Sequence, residues 1–418
     1  MNARGEQGLA LRRALSPPLA LFTLLAFAVS LSAADQLRYV IIFTRHGVRS
    51  PTWTSERLNQ YSAQPWPDWH IPAGSLTPHG RAAMKLFGAW YGEYLRGEQL
   101  LGDGCADAKL VHFEADKDPR TVESARALAE GMLPDCKPQV QWSHADGQDP
   151  LYYGAGQPDS NVVAAAVLGR IGPNQQALEE AYETQLDTLE RVLGKKSLGR
   201  AGANVDPASQ YDLMKRLGPL TPAATLSENL ALEYAEGMSG DQLGWGRMNV
   251  TDLRQILTLH TVYADLMRRT PYIARARASN LMQHLLWSME QAVSGSSVQG
   301  ALGAPKDKAL VICGHDTNIE NMSGMLGLGW IIAGYPPNDT PPGGALVLEL
   351  WRNGAANSVR VHYMAQTPDQ LRGAITGPPE RADLFIPGCS TAAQGYPCDW
   401  DKFRQTVEAA IDPAFTSR

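Results

Sequence analysis

The sequence predicts an α/β fold: a mixed central sheet flanked by helices, with a mostly helical domain inserted into the chain. Strand-like and helical patterns alternate over residues 35–149, and strand-like runs return in residues 276–418. Helical patterns dominate residues 150–275, where strand-like runs are scarce. We therefore expect a discontinuous α/β core from residues 35–149 and 276–418, with residues 150–275 as the insertion.

The first half of the expected core consists of two strand–helix pairs. Residues 36–44 have the sequence QLRYVIIFT, whose β-branched and aromatic residues favour a strand. Thr77 is the expected N-cap of the first long helix, with Pro78 at the first helical position. The runs KLVHFEAD and TVESARALAEGML predict the second strand and the second helix.

The inserted segment shows long helical patterns. One helix is expected over residues 176–196, where apolar residues recur at helical spacing. These residues are Leu178, Leu186, Leu189 and Val192. A similar pattern covers residues 251–269.

The second half of the core begins with the strand-like run KALVICGH. The helix after it is expected to start near Thr317, with Glu320 three residues later as the acidic member of a capping box. Two further strand-like runs flank Asn353 and Gly354, a pair that predicts a tight β-hairpin.

Residues 1–34 are typical of a secretory signal peptide. Three arginines precede an apolar run from Leu19 to Leu31, and Ser32 and Ala34 supply small residues for cleavage after Ala34. A membrane anchor is the alternative, but the run is shorter than the roughly 20 residues that a span needs. We expect an exported protein, periplasmic or secreted, with no membrane association after cleavage.

Composition limits the partners and the redox state. The chain of 418 residues has a net charge of −6 and no block of lysines or arginines, which argues against nucleic-acid binding. In an oxidising compartment most of the five cysteines should pair. The expected disulfides are Cys105–Cys136 and Cys389–Cys398, with Cys313 as a buried free thiol.

Charged residues follow three of the expected strands. Arg45, His46 and Arg49 follow the first strand, Arg120 follows the second, and His315 and Asp316 follow the third. Ligands of open α/β sheets bind outside the carboxyl ends of the strands. If the three strands are parallel and adjacent, these six side chains meet in one pocket.

Such a pocket suits a phosphate group. Guanidinium groups bind tetrahedral oxyanions through paired hydrogen bonds, and a helix N-terminus adds positive potential. Positive neighbours lower the pKa of His46, and a neutral imidazole beside a phosphoryl group is a nucleophile. Asp316 can then donate a proton to the leaving group and accept one from water.

Other interpretations of these residues are structural or metal-binding. A buried Arg120 could be an ion-pair partner, and His46 could be a core histidine, although its flanking arginines make a further buried cation costly. His315 and Asp316 could bind a metal, but that needs further ligands at short spacing. His260 and His284 lie in helical patterns without such spacing, so we expect no metal.

Two motifs resemble those of the histidine acid phosphatases, a branch of the histidine phosphatase superfamily whose proton donor is an Asp beside the second His. They are RHGVRSP at residues 45–51 and GHDTN at residues 314–318. The runs LTPHG, GMLPDC, GWGR, RTPYIARARA, NDTPPGG and CDWDKF are similar to those of bacterial periplasmic phytases and glucose-1-phosphatases. The resemblance covers nearly the whole chain after residue 34.

The resemblance implies a role for each matched residue. His46 would be the nucleophile that forms a phosphohistidine, and Asp316 the proton donor. The residues implied to hold the phosphoryl oxygens are Arg45, Arg49, Arg120 and His315. The substrate would be a small-molecule phosphate monoester, hydrolysed without metal or cofactor at an α/β core capped by a helical domain.

The chain departs from the phytase pattern at the substrate pocket. Bacterial phytases often carry Lys after the RHGxRxPT motif, whereas this chain keeps Thr52 and has Trp53 at the Lys position. Glu228 falls where phytases have a pocket carboxylate. Because Trp53 removes a cation, the preference between phytate, sugar phosphates and aryl phosphates stays open.

Two other functions compete with an acid phosphatase. One is a non-catalytic periplasmic protein that binds phosphate or sugar phosphates on the same scaffold, which would need the arginines but not His46 or Asp316. The other is a mutase of the same superfamily, which the signal peptide disfavours. For the phosphatase we expect activity at roughly pH 4 to 6, since Asp316 must be protonated while His46 stays neutral.

Overall fold

The structure is a computed structural model that describes residues 35–172, 175–199 and 217–417. The predicted signal peptide, residues 1–34, lies outside the described residues. From Asp35 onward the chain forms one compact unit. None of the helices in the described ranges is both long enough and apolar enough to span a bilayer.

A mixed sheet of eight strands forms the centre of the protein, as predicted. The strands are β1 (Gln36–Arg45), β2 (Val111–Ala115), β3 (Val140–Trp142), β4 (Ala309–Gly314), β5 (Ala345–Asn353), β6 (Ala356–Ala365), β7 (Glu380–Leu384) and β8 (Cys398–Asp399). Their order is β3-β2-β4-β1-β5-β6-β7, and β8 pairs with β6. Pairing is parallel from β3 to β1 and antiparallel from β1 to β7.

Helices cover both faces of the sheet and fill the middle of the chain. The helices in the described residues are α1 (Ser55–Leu58), α2 (Pro78–Gly97), α3 (Pro119–Met132), α4 (Pro150–Tyr153), α5 (Ser160–Ile171), α6 (Gln175–Ala181), α7 (Glu183–Leu193), α8 (Leu220–Ala235), α9 (Val250–Met267), α10 (Pro271–Ser294), α11 (Asp316–Leu326), α12 (Pro368–Gly373) and α13 (Trp400–Ala410).

The central strand β1 is buried because both of its faces are covered. Side chains alternate across a strand, so Ile41 and Phe43 pack with α10 and α11 on one face of the sheet. Val40 and Ile42 pack with α2 and α3 on the other face. All six residues of the neighbouring strand β4 are buried as well. The run of β-branched residues in the sequence reflects this double burial.

Local sequence signals locate several element ends. The Thr77 hydroxyl accepts a hydrogen bond from the Gly80 backbone N–H, and Pro78 is the first residue of α2, as predicted. Strands β5 and β6 form the predicted hairpin, with Asn353 paired to Ala356. Gly354 in the turn has φ of 58°, a left-handed value that glycine adopts without strain.

Two expected helices differ from the structure. The single helix expected over residues 176–196 is two helices, α6 and α7, separated at Tyr182, whose backbone leaves the helical region. The helix after β4 starts at Asp316, where Asn318 accepts a hydrogen bond from the His315 backbone N–H. The capping box expected from Glu320 is therefore wrong, because Glu320 lies inside the helix and its side chain is buried.

The segment between the two halves of the sheet is helical. Every regular element that begins in the described part of residues 150–275 is a helix, and α7, α8 and α9 share an apolar cluster. Helix α10 runs through the expected boundary at residues 275 and 276. The division into a discontinuous core and an inserted domain remains a prediction.

Both expected disulfides are present. Cys105 is bonded to Cys136, and Cys389 is bonded to Cys398. Cys313 is a free, buried thiol in β4, as expected, and burial raises its pKa. It is consequently protonated and unreactive at ordinary pH.

Helices α2 and α3 touch through their backbones. A Cβ atom placed on Gly88 would lie 2.0 Å from the Leu128 carbonyl oxygen, and one on Gly131 would lie 1.9 Å from the Lys85 carbonyl oxygen. Only glycine allows this approach. The contact fixes α3, whose second residue is Arg120.

We expect Gly88→Ala to lower the free energy of unfolding by about 1–3 kcal/mol, because the new methyl group must force the two backbones apart. At Gly97, which ends the same helix, an added Cβ atom would have no neighbour within 4 Å. Gly97→Ala should therefore leave stability unchanged or raise it by less than about 1 kcal/mol. Urea unfolding of both variants tests this, and equal effects would refute the close contact.

Candidate active site

The carboxyl ends of three strands meet at one edge of the sheet. Strand β4 lies between β1 and β2 and is parallel to both, with Arg45 in register with Gly314. The His46 backbone N–H donates to the Gly314 carbonyl at 3.0 Å, and that of Asp116 donates to the Cys313 carbonyl at 3.0 Å. The three strands are therefore parallel and adjacent, which is the condition for their ends to meet in one pocket.

His46 is a buried histidine whose surroundings keep it neutral. Its Nδ1 atom lies 2.9 Å from the Gly47 carbonyl oxygen, so Nδ1 carries the proton and Nε2 keeps a lone pair. Burial lowers the pKa of His46 well below its ordinary value, and neighbouring side chains lower that pKa further. These side chains are Arg45, Arg49, His315 and Arg120. An unprotonated Nε2 in such a place is a suitable nucleophile.

Two of the predicted phosphate-binding arginines share one carboxylate. Arg45 and Arg49 are buried, and both form ion pairs with Glu228, with 3.2 Å between Arg49 Nη2 and Glu228 Oε1. Burial raises the pKa of Glu228, but the charges of Arg49 and Arg45 outweigh it and lower that pKa to about 2. Glu228 is therefore ionised in weakly acid solution. The Glu228 carboxylate thus contacts the guanidinium groups of Arg45 and Arg49 directly.

His315 and Arg120 form the opposite side of the site. The imidazoles of His46 and His315 meet edge to face, with 5.6 Å between ring centroids. His315 Nε2 lies 2.6 Å from the Asp116 carboxylate, which fixes the orientation of its ring. Arg120 Nη2 lies 3.4 Å from His315 Nδ1 and 2.6 Å from the Asp118 carboxylate.

Asp316 lies between two arginines. Its Oδ2 atom is 3.2 Å from Arg268 Nη1 and 3.8 Å from Arg45 Nη2. Burial favours the neutral acid, but the charges of Arg268 and Arg45 hold the pKa of Asp316 well below its usual range. In the free protein Asp316 is a carboxylate.

Thr52 and Trp53 are the two remaining pocket candidates. Thr52 is exposed, and a Cβ placed on Gly74 would lie 3.5 Å from Thr52 Cγ2 and 3.8 Å from Arg120 Nη1. Trp53 is half-buried against the apolar cluster shared by α7, α8 and α9. The guanidinium of Arg57 lies 3.7 Å from the centre of a Trp53 ring.

Two groups of side chains in the described residues could each offer three ligand atoms within 4.8 Å. They are Asp116, Asp118 and His315, and Glu228, His260 and Asp316. Arg120 is paired with a carboxylate of the first group, and Arg45 with carboxylates of the second. A cation at either place would have to displace or approach these guanidiniums.

Known proteins are similar to this chain in both sequence and fold. A profile of the histidine phosphatase superfamily (branch 2) matches residues 36–364. Phytase AppA of Escherichia coli (strain K12) is 33% identical over 410 residues, covering 91% of this chain and 93% of that protein. The chain belongs to branch 2 of the histidine phosphatase superfamily. The expected family and fold class are confirmed.

Two further relatives place the chain within that superfamily. Glucose-1-phosphatase of Salmonella typhimurium is 28% identical over 397 residues, covering 90% of this chain and 92% of that protein. The structure of Hafnia alvei phytase in complex with tartrate superposes with a TM-score of 0.82 at 31% identity, covering 92% of this chain and 99% of that one. The roles of the individual residues remain predictions.

Several side chains of the site escaped the sequence analysis. Asp116 directly follows β2, and the strand-end rule that selected Arg120 could have found it. Arg268 follows the end of α9, and Glu320 lies inside α11. Arg268 carries no local signal, because only tertiary packing brings it to Asp316. Glu320 is one turn from Asp316, but its ion pair with Arg268 also depends on tertiary packing.

We expect Glu228→Gln to lower the free energy of unfolding by about 3 kcal/mol, because it leaves buried positive charge uncompensated. Inorganic phosphate should raise the melting temperature of this variant more than that of the unaltered protein, since it can replace the lost charge. Differential scanning fluorimetry with and without phosphate measures both effects.

Glu130→Gln is the matched control, because Glu130 pairs with Arg81 in an ion pair that is about two-fifths exposed. Its loss should change stability by less than about 1 kcal/mol. Equal responses of the Glu228 and Glu130 variants to phosphate would contradict the predicted competition between Glu228 and phosphate.

Proposed function

We propose that the protein is an exported acid phosphatase that hydrolyses phosphate monoesters through a phosphohistidine on His46, without a metal. The observation that supports this most strongly is the buried, neutral His46 among Arg45, Arg49 and Arg120, with Asp316 nearby. The positive groups hold the phosphoryl oxygens and stabilise the charge that develops on them.

In the first half-reaction, His46 Nε2 attacks the phosphorus atom. The ester P–O bond breaks, its electron pair stays on the alcohol oxygen, and protonated Asp316 gives that oxygen its proton. The Nδ1–H bond to the Gly47 carbonyl helps the imidazole carry the positive charge that forms. Arg45, Arg49, Arg120 and His315 are the proposed phosphoryl ligands.

In the second half-reaction, water attacks the phosphohistidine. The Asp316 carboxylate takes a proton from the water as the new P–O bond forms and the P–N bond breaks. Inorganic phosphate is released, and His46 returns to its neutral form. Asp316 is then protonated and ready to act as the acid again.

The charges around Asp316 account for an acid optimum. Its pKa is low in the free site because Arg268 and Arg45 lie beside it. A bound phosphate group adds negative charge near these arginines and raises the pKa of Asp316. Protonation still needs acid solution, which agrees with the expected range of roughly pH 4 to 6.

Export and metal independence are further parts of the proposal. The N-terminal sequence pattern and two disulfides support an oxidising compartment. The arginines that already bind the carboxylates of the site disfavour a bound cation. The guanidinium groups are therefore proposed to stabilise the phosphoryl oxygens.

The substrate is proposed to be phytate or a sugar phosphate. Relatives of this chain include a protein named phytase and others named glucose-1-phosphatase. Trp53 lacks the cation of the phytase pattern, but the Arg57 guanidinium that stacks on its ring supplies a positive charge beside it. This arrangement supports activity on both substrate classes without a strong preference for phytate.

We expect His46→Ala to abolish turnover of glucose 1-phosphate while phosphate binding, measured by calorimetry, persists. Asp316→Asn should slow glucose 1-phosphate hydrolysis at least about 100-fold, and 4-nitrophenyl phosphate hydrolysis less, because a good leaving group needs little protonation. Acid-labile labelling of the unaltered protein, absent in His46→Ala, would identify the phosphohistidine. Turnover that survives in His46→Ala would refute the mechanism, and binding without any turnover in the unaltered protein would support a binding protein.

Phosphate release from phytate and from glucose 1-phosphate at acid pH, with a chelator present, should give kcat/KM values within about tenfold of each other. Trp53→Lys should raise kcat/KM for phytate about threefold, the worth of one exposed ion pair, and leave glucose 1-phosphate unchanged. Trp53→Gln is the control for loss of the ring. A gain for both substrates in Trp53→Lys would contradict the proposed role of a charge at this position.

A further inference from the structure

The proton donor belongs to a closed ring of polar contacts. The same nitrogen of Arg268, Nη1, lies 3.2 Å from Asp316 Oδ2 and 2.6 Å from Glu320 Oε2. Glu320 is 1% exposed, and its other oxygen accepts a hydrogen bond from Thr340 Oγ1 at 3.1 Å. The Thr340 carbonyl in turn accepts a hydrogen bond from Arg45 Nη1 at 2.5 Å, and Arg45 returns to Asp316.

These contacts hold the Arg268 guanidinium beside the Asp316 carboxylate. Arg268 follows the last residue of α9, whereas Glu320 lies one turn after Asp316 on α11. Glu320 is satisfied from two sides, so it holds the guanidinium in a fixed place. Glu320 needs this partner, since an isolated buried carboxylate would be costly.

We propose that Arg268, held by Glu320, is a positioning residue that orients the Asp316 carboxyl and sets the pH above which it no longer donates a proton. The inference rests on the proposed function, in which Asp316 is the acid. It assigns Arg268 no direct contact with the phosphoryl group.

Other charged or titratable groups also face Asp316. Arg45 ends β1 and His46 is the next residue. Glu228 lies on α8, His260 on α9 and Glu320 on α11. Arg45, His46 and Glu228 belong to the proposed phosphate cradle, so changing them disturbs binding as well. Arg268 is the positive neighbour of Asp316 that lies outside this cradle, and its change isolates the effect on the acid.

The sign of each change follows from the charge. The charge of Arg268 favours the Asp316 carboxylate, so its removal raises the pKa of Asp316 and extends activity to higher pH. Glu320 offsets part of the charge of Arg268. Glu320→Gln should therefore lower the pKa of Asp316, so that activity is lost at a lower pH. Opposite shifts from two neighbouring substitutions would not arise from general loss of stability.

The test measures kcat against pH for the mature protein, without the predicted signal peptide, with glucose 1-phosphate as the substrate. Arg268→Gln should move the high-pH fall of kcat upward by about one pH unit, Glu320→Gln should move it downward, and Arg268→Lys should restore the original profile. With 4-nitrophenyl phosphate the shifts should be smaller, because this leaving group needs little protonation. The ionisation of each substrate is common to all variants and cancels in the comparison.

Arg269→Gln is the matched control. Arg269 is the adjacent residue, but its guanidinium binds Ser323 and the Leu328 carbonyl instead of Asp316. Its removal should lower the melting temperature without moving the pH profile. An unshifted profile in Arg268→Gln, or a raised KM with the original profile, would overturn the inference. Lack of turnover in the unaltered protein would instead overturn the proposed function.

Discussion

Buried positive charge at the end of β1 is the constraint on which the site depends. Arg45 and Arg49 lie next to His46 in a place with little access to water, where an uncompensated guanidinium costs several kcal/mol. Glu228 supplies the compensating charge in the free protein. The same positive charge keeps His46 unprotonated. The stability of the site and the neutral form of His46 therefore have one electrostatic origin.

Rigid elements hold these charges in place. Strands β1 and β4 are buried in the middle of the sheet, so the residues that follow them start from fixed points. Helix α3 carries Arg120 and is fixed against α2 by backbone contact at Gly88 and Gly131. The helical segment adds Glu228 and Arg268 from the other side. Catalytic geometry of this kind requires support from well-packed elements.

Charge balance links binding to chemistry. Arg45 contacts Glu228, Asp316 and the Thr340 carbonyl, so a phosphate group that enters must share this guanidinium with two carboxylates. Its negative charge opposes the ionised forms of both acids. The proposed donor thus becomes easier to protonate when substrate is present. Such coupled groups titrate as a set, and the pH dependence belongs to the set.

The sequence by itself determined the elements whose causes are local. Runs of β-branched residues identified the central strands, and Thr77 and Pro78 identified the start of α2. The strand-end rule identified the six ionisable residues of the pocket. The break at Tyr182 and the capping partner at the start of α11 were missed, because competing caps and packing decide such ends.

Only the tertiary structure decided which partners neutralise the pocket. Glu228 and Arg268 are far from Arg45 and Asp316 in sequence and reach them through the packing of separate helices. Glu320 shares α11 with Asp316, but it meets Arg268 only because α9 ends beside α11. In the sequence Glu320 is equally compatible with a helix cap, since a residue type does not reveal its distant neighbours. Local signals fix strands and caps, whereas the energy of a buried charge depends on every group that the fold brings near it.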